Sequence, residues 1–399
     1  MENKKPELRF PEFKDKWDKV KLKDVSRYYN GGSFENDVKE IGKYELITLK
    51  SIDVSGNLVH SKRFIDIEVP TLSKDTLVMI LSEQAPGLLG MTALIPIDNK
   101  YVLNQRVAEI RPNNKVDSYF LSLAINRNQR YFSKHGAGTK VQNISKPNVE
   151  NYEFLCPTLP EQTKIANSLT SIDKRINLLQ KKKTELEQYK KGVMQKVFKQ
   201  EIRFKDENGN DFPDWEEKRL GEVFSFLRGS GLSKNDIIPD GDNLCIHYGE
   251  LFTRYSEIID EVKSNTNSNG TKSIKGDILM PTSDVTPDGL ATASAVFKDN
   301  VVLGGDINVL RPKSKVNSSY FSYLLNFSKK DIIKLVTGTT VKHIYSKDVK
   351  LLKFNVPSFE EQVKIAKFLV SIDKSIEQTS YQIDESKKFK KGLLQKMFI

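Results

Sequence analysis

The chain has 399 residues, 38% of them hydrophobic and 29% charged, a balance that suits a folded protein with two cores and excludes a disordered or membrane-embedded one. Its formal charge of +11 attracts a polyanion, and nucleic acid is the commonest one in a cytosol. No apolar run approaches the roughly 20 residues of a membrane helix. The opening MENKKPELRF lacks the apolar centre of a signal peptide, and the distant Cys156 and Cys245 predict reduced, packed thiols in a cytoplasmic protein.

In chain order, a basic opening with Arg9-Phe10, Trp17 and KVKLKDV leads into short β-like runs: YELITL (44–49), TLVMIL (76–81), MTALIPI (91–97) and VAEIRP (107–112). A helix is predicted over VDSYFLSLAINRNQRYF (116–132). Then come a glycine–threonine loop at Gly138 and a long helix opened by Thr158 and Glu161, whose spacing is that of a capping box. Apolar positions recur at 4-3 intervals along it: Ile165, Leu169, Ile172, Ile176, Leu179, Leu186, Val193 and Val197, with Lys183 and Lys190 interrupting the series.

The whole series then returns. Arg203-Phe204 and Trp215 followed by EEKRLGEV match the opening; SIKGDILM, TASAVF and INVLRP supply strands, and VNSSYFSYLLNFSKKDIIKLV (316–336) a helix. From Gly338, GTTVKHIYSKDVKLLKFNVPSFEEQVKIAKFLVSIDKSI aligns without a gap with GTKVQNISKPNVENYEFLCPTLPEQTKIANSLTSIDKRI from Gly138. The second helix, capped by Ser358 and Glu361, carries Ile365, Leu369, Ile372, Ile376, Thr379, Ile383, Ser386, Lys390, Leu393 and Met397 on its seam. The chain is therefore a tandem duplication of one unit of about 200 residues. Shared frames around divergent interiors imply one fold used twice, for two different ligands.

The expected fold is α+β: two domains with a mainly antiparallel sheet, 1–157 and 201–357, spaced by helices at 158–200 and 358–399. A heptad seam of about 39 residues reaches roughly 58 Å, beyond one turn of B-DNA at about 34 Å. Such seams predict that the two helices pack on each other as an antiparallel coiled coil rather than each folding back on its own domain.

The RFPEF…W…KLKDV and RF…FPDW…KRLGEV openings, the Gly138-Thr139 and Gly338-Thr339 loops, and PTLPEQTKIA and PSFEEQVKIA, each followed by S-I-D-K, together resemble the specificity subunits of type I restriction–modification systems. The resemblance runs over essentially the whole chain, twice. It implies target-recognition domains that each read half of a split, asymmetric DNA site, and helices that set the gap and dock two modification (methyltransferase) subunits. Restriction subunits, which translocate DNA with ATP and cut it, would join that core. S-adenosylmethionine, ATP and magnesium would belong to those partners, with no cofactor, metal or catalytic residue in this chain. The alternative is a non-enzymatic coiled-coil DNA-binding or scaffold protein outside restriction–modification. A methyltransferase is disfavoured by the lack of a glycine-rich cofactor loop and of an Asn/Asp-Pro-Pro-aromatic motif. GAGTK at Gly136 lacks phosphate-loop order, and His60, His135, His247 and His343 show no ligand spacing.

Candidate DNA contacts fall into two sets. Phosphate contacts suit the shared loops: Gly138, Thr139, Lys140, Gln142, Asn143 and Lys146 in the first copy, Gly338, Thr339, Thr340, Lys342, His343 and Lys347 in the second. Base reading suits the divergent loops, where Arg, Gln and Asn offer paired donors and acceptors. These are Ser82, Glu83, Gln84, Asn104, Gln105 and Arg106, then Thr282, Ser283, Asp284, Asp306 and Asn308, with Arg228 and Arg254 further out.

Overall fold

The computed structural model describes residues 5–83 and 87–399. They form two compact units: one runs up to Leu179 and adds Gln382–Ile399, the other is Gln180–Tyr381. The division falls inside the two long helices, Leu159–Phe198 and Phe359–Met397, so each unit owns a segment of both.

In the first unit a four-stranded antiparallel sheet has the order Ser26–Asn30, Val107–Pro112, Leu77–Ile80, Thr92–Leu94. A second, three-stranded sheet places Tyr44–Ile47 between Phe64–Ile65 and Tyr101–Leu103, the latter pairing parallel. The second unit repeats this with Phe224–Arg228, Ile307–Pro312, Asp277–Pro281, Ser294–Val296 and an added parallel edge, Ile258–Ile259. Its three-stranded sheet places Asn243–Ile246 between Ser264–Thr266 and Val302–Leu303. The frame of each unit closes as an antiparallel pair, Asp18–Lys21 with Glu153–Cys156 and Glu216–Arg219 with Lys353–Val356.

The continuous apolar run LVMI follows from burial on both faces. Leu77 and Met79 face the helix side with Phe120, Leu121 and Leu169, whereas Val78 and Ile80 face Ile47, Ala93 and Leu103. Ile278 and Met280 against Leu279 repeat the division in the second unit. The helix predicted over 116–132 is two helices, Ser118–Asn126 and Gln129–His135, because Asn128 stops the first and its side chain accepts from Tyr131 N at 3.2 Å to cap the next. The second copy breaks likewise at Ser328, between Ser318–Phe327 and Lys329–Ile333.

Within each unit the two helix segments run antiparallel. In the first, Ile165 and Leu169 share a core with Leu393, Met397 and Phe398, while further along Lys390 Nζ sits 2.6 Å from Asp173 Oδ1. In the second, Val193 and Val197 meet Ile365 and Leu369, and Lys190 Nζ lies 2.7 Å from Asp373 Oδ1. Every seam position named from the heptads is buried or half-buried. The lysines that interrupt the seam at 190 and 390 are thus neutralised by an aspartate of the facing helix. A tyrosine hydroxyl donates to each of these aspartates, Tyr119 to Asp173 and Tyr323 to Asp373. Burial pushes both hydroxyls well above the ordinary tyrosine range, so they stay donors.

The helix starts correct one expectation. Glu161 and Glu361 do not reach back to cap their own helices. Arg9 Nε and Nη2 donate to Glu161 Oε1 and Oε2, each at 2.7 Å, and Trp17 Nε1 donates at 3.3 Å. Arg203 and Trp215 hold Glu361 in the same way, at 2.8 Å for Nη2 and 3.1 Å for the indole. Both carboxylates are almost fully enclosed, at 1% and 0% exposure, so a fork of charged donors outcompetes a single backbone N–H. The adjacent glutamines clamp the preceding loop: Gln162 accepts from Asp117 N at 2.9 Å and donates to Pro157 O at 2.8 Å, and Gln362 does the same with Asn317 and Pro357, each at 2.9 Å. The repeated Arg, Trp and Glu-Gln are one lock, made twice.

Candidate nucleic-acid interface

Three stretches separate in sequence meet at the end of each large sheet. In the first unit Ser82–Glu83 pairs antiparallel with Gln142–Asn143. Leu81 N donates to Arg106 O at 3.0 Å, and Ile144 N to Leu81 O at 2.9 Å. Ala137 and Asn143 exchange both backbone bonds, at 2.9 and 2.8 Å. The second unit repeats each link: Ser283–Asp284 with Lys342–His343, Thr282 N to Asp306 O at 2.8 Å, and Thr337 with His343 at 3.0 and 2.8 Å.

The glycine of each shared loop has a steric reason. Gly138 and Gly338 have φ of +124° and +99°, and a Cβ there would stand 2.0 and 2.2 Å from the carbonyl oxygens of Val141 and Val341. A second glycine pair went unremarked in the sequence. Gly31 and Gly229 pass so close to the reading turns that a Cβ would lie 1.8 Å from the carbonyl oxygens of Asn104 and Gly304. The matching Tyr-Asn-Gly-Gly and Leu-Arg-Gly-Ser stretches were the available signal.

The expected readers divide by burial. Ser82, Glu83, Asn104, Thr282 and Asn308 are buried, and this corrects their placement among surface loops. Glu83 accepts from Leu88 N and Leu89 N, both at 2.7 Å, and Asn104 Nδ2 donates to Glu35 at 2.7 Å. Asn308 accepts from Ser346 Oγ at 2.6 Å, and Thr282 Oγ1 donates to Asp306 at 3.3 Å. Glu83, Asn104, Asn308 and Thr282 thus hold the loops from within. Gln84 lies outside the described residues. Asp284 is half-buried and spends its oxygens on Val285 N and Thr286 Oγ1, both at 2.7 Å. Ser283 meets His343 Nδ1 at 3.0 Å.

The outward side chains are Gln105, Arg106, Thr139, Lys140, Asn143 and Lys146, then Thr339, Thr340 and Lys347, with Gln142, Lys342 and His343 half-buried. Lys146 lies over the Tyr28 ring at 5.3 Å and 3.6 Å from Glu150; Lys347 lies over Tyr345 at 5.6 Å. Lys342 Nζ donates to Gly338 O at 2.8 Å, bracing its own loop. Arg228 is on the reading side, donating to Gly305 O at 2.8 Å and to Asp306 at 3.2 Å. Arg254 is not: it binds Glu250 at 2.7 Å and lines a cavity with Lys190 and Asp373.

What decides the family is that this doubled architecture is matched along the chain. Residues 14–188 and 213–385 each match the type I restriction modification DNA specificity domain. The chain belongs to that family. The putative type I restriction enzyme MjaX specificity subunit of Methanocaldococcus jannaschii is 26% identical over 408 residues, covering 96% of this chain and 93% of the relative. The type I restriction enzyme MjaVIII specificity subunit of the same organism is 25% identical over 316 residues, covering 75% and 73%. The crystal structure of the type I restriction–modification S subunit from M. genitalium superposes with a TM-score of 0.65 at 18% identity, over 99% of both chains, and shares the fold. In this specificity-family chain the doubled domain accounts for the doubled loop cluster. No helix among the described residues is long and apolar enough to cross a membrane.

Proposed function

We propose that the chain is the non-catalytic DNA-reading subunit of a cytoplasmic type I restriction–modification complex, its two units reading unlike halves of an asymmetric, interrupted site. The observation that carries this is the pairing of one backbone scaffold with two different reading turns, Asn104-Gln105-Arg106 and Gly304-Gly305-Asp306. The glycine–threonine loops and their lysines grip phosphates, which carry no sequence information and can be shared. The continuous helices, 40 and 39 residues long, set the unread gap and dock two modification subunits, to which restriction subunits attach. S-adenosylmethionine, ATP and magnesium are used by those partners.

Exchange of residues 26–137 for the same stretch of another family member, scored by sequencing methylated sites, changes one part of the target only. Exchange of 225–337 changes the other. A palindromic native target, or a swap that alters both parts, overturns the proposal, because site symmetry follows the symmetry of the reader.

A further inference from the structure

Building on that reading, we infer that Arg106 reads a guanine in the half-site of the first unit. The backbone that carries residue 106 is held as its counterpart is, through Leu81 N to Arg106 O at 3.0 Å and Thr282 N to Asp306 O at 2.8 Å. The side chains on this common scaffold differ in kind. Asp306 is tied to Arg228 and Thr282, at 3.2 and 3.3 Å. The Arg106 guanidinium is exposed and makes no hydrogen bond or ion pair among the described residues.

Arg106 also stands on a stiff and strained support. Its φ is +65°, a left-handed conformation that a non-glycine residue adopts only when its surroundings impose it. The cleft is about 510 Å³, with Lys50, Arg63 and Gln105 on its walls. Its one lining carboxylate, Glu35, is already taken by Arg63 at 2.5 Å and Asn104 at 2.7 Å. The Arg63 guanidinium and the Asn104 amide keep that carboxyl below its ordinary range, so it stays ionised and bound to them. What remains without a hydrogen-bond partner at the rim is the exposed Arg106 fork of N–H donors, carried on a braced backbone and coupled to Glu35 only through the longer-range attraction of their charges.

A base edge suits that fork better than a phosphate does. A phosphate carries no sequence information, and the loops suited to gripping it are the shared glycine–threonine ones rather than this divergent turn. Guanine offers two adjacent acceptors, O6 and N7, in the major groove, the pair that an arginine fork matches, whereas adenine opposes it with an N6 donor.

The test uses the chain assembled with its modification subunits, methylating a DNA library of random sequence that is then read by sequencing. The wild-type complex is expected to require a guanine at one position of the part assigned to the first unit by the 26–137 exchange. Arg106→Ala should reduce the preference there by roughly ten- to hundredfold, leaving the second part intact as proof of folding and assembly. Arg106→Gln should move the preference toward adenine. A first part without a required guanine overturns the inference, as does an unchanged preference in both variants. A uniform loss over all sequences with a shallower salt dependence also overturns it, marking a phosphate contact. A wild-type complex that methylates no interrupted site instead overturns the proposed function itself.

Discussion

Replacement of Glu161 by glutamine separates two roles that its position allows. A capping box accepts either Glu or Gln at the third helical position, so a capping side chain tolerates Glu161→Gln. A carboxylate enclosed at 1% exposure and forked by Arg9 does not, because an amide turns a donor toward the guanidinium. Removing one partner of a buried ion pair costs about 3–5 kcal/mol. Arg9 keeps 14% exposure and can turn partly to water, so we expect about 3 kcal/mol for Arg9→Met and about 2 kcal/mol for Glu161→Gln. The double variant Arg9→Met/Glu161→Met leaves no stranded charge, only the Trp17 indole N–H without its acceptor, and should lose about 1–2 kcal/mol. Unfolding in urea can be followed unit by unit, since the chain has 2 tryptophans, Trp17 and Trp215, with one in each unit. In a Trp215→Phe background the emission of Trp17 reports the first unit alone. If the double variant loses as much as Arg9→Met and Glu161→Met summed, or if Glu161→Gln is neutral, the lock is not what holds the helix start.

Three further outcomes follow from the geometry. Gly138→Ala forces a Cβ to within 2.0 Å of Val141 O at φ +124°, and should cost about 1–3 kcal/mol and weaken DNA binding; an electrophoretic mobility shift with no change from wild type would count against the loop. Lys140→Glu should lower binding to all duplexes alike and reduce the slope of log K against log salt by about 1, and an unaltered slope removes Lys140 from the backbone contacts. Burial pushes the thiols of Cys156 and Cys245 up to about 11, so at pH 8 fewer than about 1% are thiolate; iodoacetamide should label them only after denaturation, and rapid native labelling would contradict their enclosure.

The duplication was legible because the residues that build the lock and the clamps recur in fixed order: Arg9 and Arg203, Trp17 and Trp215, Glu161-Gln162 and Glu361-Gln362. Their partners were not legible, since a helix-start glutamate has the same local spacing whether it caps its own helix or receives an arginine 152 residues away. The central strands showed as apolar runs because both faces are covered. Two-residue strands such as Phe64–Ile65 carry too short a pattern to register. The loop clusters were found as regions, yet single residues sorted poorly. Asn104 and Arg106 are both polar and two apart, and only the fold sends one inward to Glu35 and the other out.

The composition of the first unit has a consequence for how the protein is made. That unit includes Gln382–Ile399, whose Phe398 ring lies 6.2 Å from Trp17 and 5.2 Å from Phe120. On the ribosome, residues 5–179 emerge well before Gln382–Ile399, whose side chains seal their core, whereas Gln180–Tyr381 has all its parts before that segment is made. The half translated earlier is therefore completed later, and until then Trp17 and Phe120 lack the Phe398 ring that packs on them. A stop codon just after Tyr381 would remove no residue of the second unit and would still leave the first one unfinished.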